Sequence, residues 1–246
     1  MLAVKIDFHI LAFLRLIVHN TKEHRLEREG LMKKYKAVIF DLDGTLLDTL
    51  EDLKDSVNYA LGNAGMPLRS LEEVRTFVGN GVRRLMELSV PGGEENSEFG
   101  RVFEDFKGHY ALHCNDKTAP YPHIMELLSE LKKRGYQMAV VSNKFYGAVQ
   151  ELRKLYFEGY IEIAIGEKEG IRRKPAKDTV VEALRQLGID KEEAVYVGDS
   201  EVDIATAENT GMDCIAVAWG FRTREEQEKA GGKVFADDPL DILDLV

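Results

Sequence analysis

A chain of 246 residues, 44% hydrophobic and 31% charged, has an ordinary globular composition and is long enough for one large core or a core carrying an insertion. Its formal net charge of −10 excludes a general nucleic-acid binder, which needs a basic face, and obliges any anionic substrate to be met by local cations or a metal. Cys114 and Cys214 are too few for a disulfide framework and read as free thiols of a reducing compartment, hence the cytoplasm.

Residues 1–35 stand apart as an N-terminal extension. "MLAVKIDFHILAFLRLIVHN" is apolar but interrupted by Lys5, Asp7 and Arg15, too charged for a comfortable transmembrane helix, and no small-residue cleavage site follows. "TKEHRLEREG" reads as a solvated helix or linker ending at Gly30. Three readings compete: an element packed on the domain, an interface or membrane-surface element, or an over-extended start. The third is favoured, because "MKKYKAVIF" from Met32 opens a compact domain without the extension.

Beyond Met32 short apolar runs alternate with amphipathic stretches. Strands are expected at Ala37–Asp41, Gln137–Ser142, Ile161–Ile165, Ala194–Gly198, Cys214–Ala218 and Val234–Ala236. Helices are expected between them at His123–Arg134, Gly147–Tyr156, Ala176–Leu187, Val202–Asn209 and Arg224–Ala230, with Gly135, Gly188 and Gly211 where left-handed caps belong. This alternation predicts an α/β fold, a Rossmann-like, mainly parallel sheet covered on both faces. One interval breaks the rhythm. From Leu46 to about Ala119 the pattern reads as helices only, at Leu47–Leu61, Ser70–Phe77, Val82–Ser89 and Glu98–Cys114, with Asp48, Ser70 and Asn80 as N-caps. The expected organisation is an α/β core of residues 36–48 and 120–246 with a helical cap of residues 49–119 inserted after the first strand.

Side chains two apart on an extended chain face the same way, so "DLDGT" aims Asp41 and Asp43 into the crevice beyond the strand ends, where open parallel sheets bind ligands. "AVVSNK" brings Ser142, Asn143 and Lys144 to the same edge, "VGDSEVD" brings Asp199 and Asp203, and "RRKP" places Lys174 before a helix. Carboxylates gathered this way need a hard dication, and Mg²⁺ takes one or two of them together with a substrate phosphate. Asp41 is then the nucleophile that forms an aspartyl-phosphate, while Ser142 and Lys174 hold the other phosphoryl oxygens. Asp43 protonates the leaving alkoxide and later activates water, a role that needs a raised pKa supplied in part by a neighbouring carboxylate.

By chance D-x-D-G-T should occur in roughly one chain of this length in several hundred. Followed in order by strand–Ser, Lys-Pro and Gly-Asp-x-x-x-Asp, it is far more specific. The four motifs "DLDGTLLD", "VSN", "KP" and "GDSEVD" resemble those of the haloacid-dehalogenase superfamily, from Lys36 to the C-terminus. The resemblance implies Mg²⁺ on Asp41, the backbone carbonyl of Asp43 and Asp199. It also implies phosphate contacts from Ser142 and Lys174, and Asp203 behind them orienting Lys174 or a metal-bound water. "FVGNGVRRLMEL", "VGDSEVDIATAENTGM" and "VAWGF" resemble the phosphoglycolate phosphatase subgroup, and Thr45 fits phosphatases rather than sugar-phosphate mutases. Thr45 and Asn143 join the expected phosphate-binding set.

Other features carry competing readings. Gly79-Asn80-Gly81 presents backbone amides to a substrate anion or is a plain turn; Asn80 and Arg83 are the candidate substrate contacts of the cap, and Arg84, Arg172 and Arg173 read as solvated. Lys144 is balanced between phosphate site and surface. His109, His113 and Cys114 have helical spacing but no further ligands nearby, so a zinc site is not expected. The whole predicts a Mg²⁺-dependent phosphatase of a small phosphorylated metabolite, 2-phosphoglycolate first, acting as a monomer or homodimer without nucleic-acid or membrane partners. A pyrophosphatase or nucleotidase, a mutase and a non-catalytic binding module are the rivals.

Overall fold

The computed structural model describes residues 35–246; the alternatives raised for the N-terminal extension lie outside the described residues. Six parallel strands form one sheet in the order β5-β4-β1-β6-β7-β8. These strands are β1 Ala37–Phe40, β4 Gln137–Phe145, β5 Ile163–Glu167, β6 Ala194–Gly198, β7 Asp213–Val217 and β8 Val234–Ala236. Every residue of β1 and β6 is buried, as continuous Val- and Ile-rich runs demand when both faces of a sheet are covered. On one face Ile39, Ala139, Val141 and Tyr196 pack with Val180, Ala183 and Leu184 of α7 (Asp178–Leu187) and Ala207 of α8 (Glu201–Thr210). Gly188 and Gly211 close these two helices in the left-handed conformation, as their positions predict.

Register sets the site. Phe40 pairs with both Val140 and Val197, which brings Asp41, one residue on, and Ser142 and Asp199, two residues on, to one edge. β1 stops one residue earlier than expected, at Phe40, while β4 runs on to Phe145 and carries Asn143 and Lys144 inside the strand. The strand expected at Ile161–Ile165 is displaced to Ile163–Glu167.

The interval expected to be wholly helical begins and ends as strand. Leu47–Asp48 (β2) pairs antiparallel with Ala119–Pro120 (β3), so the two ends of the helical segment lie side by side. Two-residue strands carry no periodicity, which is why the pattern did not reveal them. Consequently the first helix, α1 (Leu50–Asn63), starts three residues later than expected, with Thr49 rather than Asp48 as its N-cap. Next come α2 (Leu71–Phe77), capped by Ser70 in a reciprocal box with Glu73, α3 (Gly81–Ser89) and α4 (Phe99–His113). Asn80 occupies the N-cap position of α3 without a side-chain capping bond.

These helices close on their own apolar cluster. Leu53, Val57, Leu61, Leu85, Met86, Val102 and Phe106 are buried there. A buried carboxylate ties the two ends of the segment together: Asp52 accepts from the backbone of Lys117 and Thr118 and from the Thr118 hydroxyl at 2.8 Å. Among the described residues no helix is long and apolar enough to cross a membrane. Asp52→Ala would strand those donors, and we expect it to cost about 1–3 kcal/mol of stability by urea unfolding. An unchanged midpoint would mean that the segment does not depend on this clasp.

Candidate active site

Beyond the carboxyl ends of β1, β4 and β6 lies a narrow cavity of about 50 Å³. Asp41, Asp43, Ser142, Asn143, Lys174 and Asp199 line it on the sheet side, joined by Lys144; Leu53, Val78, Val82 and Leu85 supply an apolar opposite wall. Asp203 lies behind Lys174, fully buried.

The charges are layered. Lys174 Nζ bridges Asp41 Oδ1 at 2.8 Å and Asp203 Oδ1 at 2.7 Å, and also reaches the Tyr196 hydroxyl. Asp203 is saturated, since Oδ1 also accepts from Tyr196 while Oδ2 accepts from the Ser200 amide and hydroxyl. It therefore opens α8 and anchors Lys174 at once. Burial alone would raise its pKa, but the Lys174 charge and these hydrogen bonds outweigh burial and hold it below the ordinary value. Burial likewise opposes the Lys174 ammonium, yet Asp203 and Asp41 keep its pKa above the usual one.

Asp41 and Asp199 are less well compensated. Burial, followed by the Asp203 charge, pushes the Asp41 carboxyl well above its usual range against the pull of Lys174. The same two causes push Asp199 up to about 7, although the Phe221 amide and Thr45 hydroxyl favour its ionised form. One ammonium cannot neutralise three carboxylates whose oxygens lie within 4.8 Å of one another. A hard, all-oxygen set short of positive charge fits Mg²⁺ chemically. With Asp203 saturated, the oxygens able to hold the ion belong to Asp41 and Asp199. Leu42 N–H and Lys174 both occupy Asp41 Oδ1, leaving Oδ2 without a hydrogen bond among the described residues.

Asp199 is wedged in place. Thr45 Oγ1 donates to its Oδ1 at 3.1 Å and the Phe221 amide to its Oδ2 at 2.8 Å. A Cβ on Gly44 would stand 2.4 Å from Asp199 Oδ2, and one on Gly220 would stand 2.2 Å from Asp199 Cβ, so both positions exclude any side chain.

Several expected contacts are placed differently. Thr45, expected at the phosphate, turns its hydroxyl to Asp199. Asn143 spends its amide on Gly79 O, Lys174 O and Lys174 N, stitching β4 to the lysine loop instead of projecting free donors into the cavity. Asn80 and Arg83 line a separate surface depression, where Arg83 pairs with Glu94 at 2.6 Å; only the flanking Gly79 and Gly81 reach the cavity. The Lys144 ammonium stands 2.7 Å from the Asp43 carboxylate. Ser142 Oγ stands 3.4 Å from Asp43 Oδ2.

Tyr110, Phe221 and Arg222 were not anticipated. Arg222 follows β7 and donates to Glu201 and to the carbonyls of Arg75 and Val78, while Phe221 sits in the apolar cluster of the inserted helices. The run "WGFR", with aromatic residues on both sides of a glycine, was the available signal. His109, His113 and Cys114 form no metal group: among the described residues the grouping of potential ligands is Asp41, Asp199 and Asp203.

The haloacid dehalogenase-like hydrolase family matches this chain over residues 38–217. The phosphoglycolate phosphatase of Mesorhizobium japonicum is 33% identical over 197 residues, 78% of this chain and 86% of its own. An N-acetylmuramic acid 6-phosphate phosphatase of Pseudomonas aeruginosa is 28% identical over 215 residues, 87% of this chain and 95% of its own. The crystal structure of a candidate phosphoglycolate phosphatase from Lactobacillus delbrueckii subsp. bulgaricus superposes with a TM-score of 0.81 at 40% identity, over 86% of this chain and 98% of the other. The chain belongs to the haloacid dehalogenase-like hydrolases and, with these relatives, is a phosphoric monoester hydrolase of the phosphoglycolate-phosphatase-like group.

Removing the bridging cation tests the layering. We expect Lys174→Ala to lower stability by about 3–5 kcal/mol at pH 7, because two buried carboxylates lose their counter-charge. Asp203, whose pKa is depressed in the fold, contributes fully above the ordinary carboxylate pKa of about 4 and loses that contribution as pH falls through its folded value. The deficit of the variant should therefore shrink below about pH 4. A deficit independent of pH in chemical unfolding would contradict this charge assignment.

Proposed function

We propose that the protein is a Mg²⁺-dependent phosphatase acting through a phosphorylated Asp41, with 2-phosphoglycolate as its substrate. The observation that carries this reading is the meeting of Asp41, Asp199, Ser142 and Lys174 at one sheet edge. The choice of 2-phosphoglycolate is supported by the several similar curated proteins that are phosphoglycolate phosphatases.

Asp41, Asp199 and the backbone carbonyl of Asp43 are the oxygens that would hold the ion, which offsets the charge of phosphate and carboxylates when bound. Asp41, poised on Lys174, offers Oδ2 to phosphorus. Ser142 and Lys174 donate to the phosphoryl oxygens not in line with attack. Asp43 gives a proton to the departing oxygen and takes one from the water that cleaves the acyl phosphate, regenerating Asp41. Asp203 keeps Lys174 in place and Thr45 keeps Asp199 in place.

Residues 49–119 act as a cap over the core of residues 36–48 and 120–246, covering the site with Leu53, Val82 and Leu85 to exclude water and select the leaving group. The β2–β3 ribbon is the natural hinge. The two free thiols and the acidic surface are consistent with a cytoplasmic enzyme that handles a small metabolite rather than nucleic acid.

Phosphate release from a panel of phosphorylated metabolites, with Mg²⁺ and with EDTA, tests the proposal. We expect 2-phosphoglycolate to lead the panel, EDTA to abolish release, and Asp41→Asn to lower it by about 10³-fold or more. Activity retained in EDTA, or about a tenth of it retained in the Asp41→Asn variant, would contradict the mechanism. Transfer of the phosphoryl group back onto a sugar would mark a mutase instead.

A further inference from the structure

The phosphatase chemistry leaves one buried cation without a task. Lys144 ends in the cavity with its side chain only 3% exposed. Its Nζ donates to Asp43 Oδ1 at 2.7 Å and to the Tyr110 hydroxyl of α4, whose ring lies 4.9 Å away. An ammonium has three donors, and the third has no acceptor among the described residues. Nor has the hydroxyl proton of Tyr110. Burial opposes the Lys144 ammonium, yet Asp43 and the Tyr110 hydroxyl keep its pKa above the usual one, so it meets the cavity as a charged group.

The other two cations that line the cavity, Lys174 and Arg222, are committed. Lys174 is shared by Asp41 and Asp203. Arg222 spends its nitrogens on Glu201, Arg75 O and Val78 O. Arg83 stands outside, paired with Glu94. Against the apolar wall of Leu53, Val78, Val82 and Leu85, Lys144 is the cation of the cavity lining that a second anionic group on the substrate would meet, while Arg83 and Arg173 line the separate surface depression.

Distance then defines which anion. To protonate the leaving oxygen, Asp43 must come within about 2.6–3.2 Å of it. Lys144 lies 2.7 Å from the same carboxyl, so its ammonium serves a group very close to the leaving oxygen. A carboxylate on the carbon that bears this oxygen is two to three bonds of about 1.5 Å away, roughly 3 Å through space. A carboxylate farther along a chain would run into the apolar wall instead.

We propose that Lys144, held by the Tyr110 hydroxyl, binds the carboxylate of the substrate and makes the site selective for phosphate esters of small 2-hydroxy acids. This rests on the phosphatase reading and specifies its substrate class. It also gives the inserted helices a direct part in selection, because Tyr110 belongs to α4.

The test compares 2-phosphoglycolate with ethyl phosphate, which replaces the carboxylate by a methyl group. In wild-type protein with Mg²⁺ we expect kcat/KM to favour 2-phosphoglycolate, and Lys144→Met to lower that preference by about 10–100-fold, the loss typical of a charged hydrogen bond. Tyr110→Phe, which keeps the charge but removes one of its anchors, should lower it in the same direction. Calorimetric affinities for the two esters in Asp41→Asn and in Asp41→Asn/Lys144→Met read the same preference without turnover, after circular dichroism shows both folded. A preference unchanged by both substitutions would overturn the assignment and leave Lys144 as a support for Asp43. Wild-type protein that hydrolyses ethyl phosphate as well as 2-phosphoglycolate would overturn the selectivity while sparing the phosphatase reading. Hydrolysis of neither ester, nor of p-nitrophenyl phosphate, would end both.

Discussion

The structure depends on a buried lysine shared between two aspartates. Three carboxylates within 4.8 Å of one another, all shielded from water, would repel one another severely without Lys174. Asp203 does not compete for a ligand; it spends every acceptor on holding Lys174 and opening α8. The remaining deficit of positive charge falls on Asp41 and Asp199, the residues proposed to meet a metal ion and a phosphoryl group. Sheet register makes the juxtaposition possible, because Phe40 of β1 is level with both Val140 of β4 and Val197 of β6.

A second constraint joins the inserted helices to the same charges. Phe221 donates its amide to Asp199 while its side chain lies in the helical cluster, and Arg222 grips two carbonyls at the far end of α2. On the other side Tyr110 of α4 holds Lys144, which holds Asp43. Asp43 and Asp199 are thus each two contacts from the segment that walls the cavity. Movement of that segment about the β2–β3 ribbon would be felt directly at the reacting groups, which is a physical basis for coupling enclosure to chemistry.

Much of this was legible in the sequence, for local reasons. An all-apolar run followed by D-x-D-G-T identifies a strand end, and the strand–Gly-Asp and Lys-Pro motifs converge once the sheet is known to be parallel. What escaped was decided at long range. Arg83 and Arg222 both follow glycine-containing turns, and only the fold shows that the former leaves the cavity while the latter fastens the helices. The burial of Lys144 depends on Tyr110, 34 positions earlier in the chain, and nothing near "SNK" announces it. Thr45 and Asn143 stand beside phosphate motifs, yet their side chains are consumed in holding Asp199 and the lysine loop.

The central claim is that Asp41 carries the phosphoryl group. Acid-quenching the enzyme during turnover of 2-phosphoglycolate, followed by peptide mass spectrometry, tests it most directly. A phosphate is expected on the peptide containing Asp41, labile to hydroxylamine as an acyl phosphate is, and absent from Asp41→Asn. Turnover without any trapped phosphate, or a phosphate found stably on a hydroxyl side chain, would contradict it.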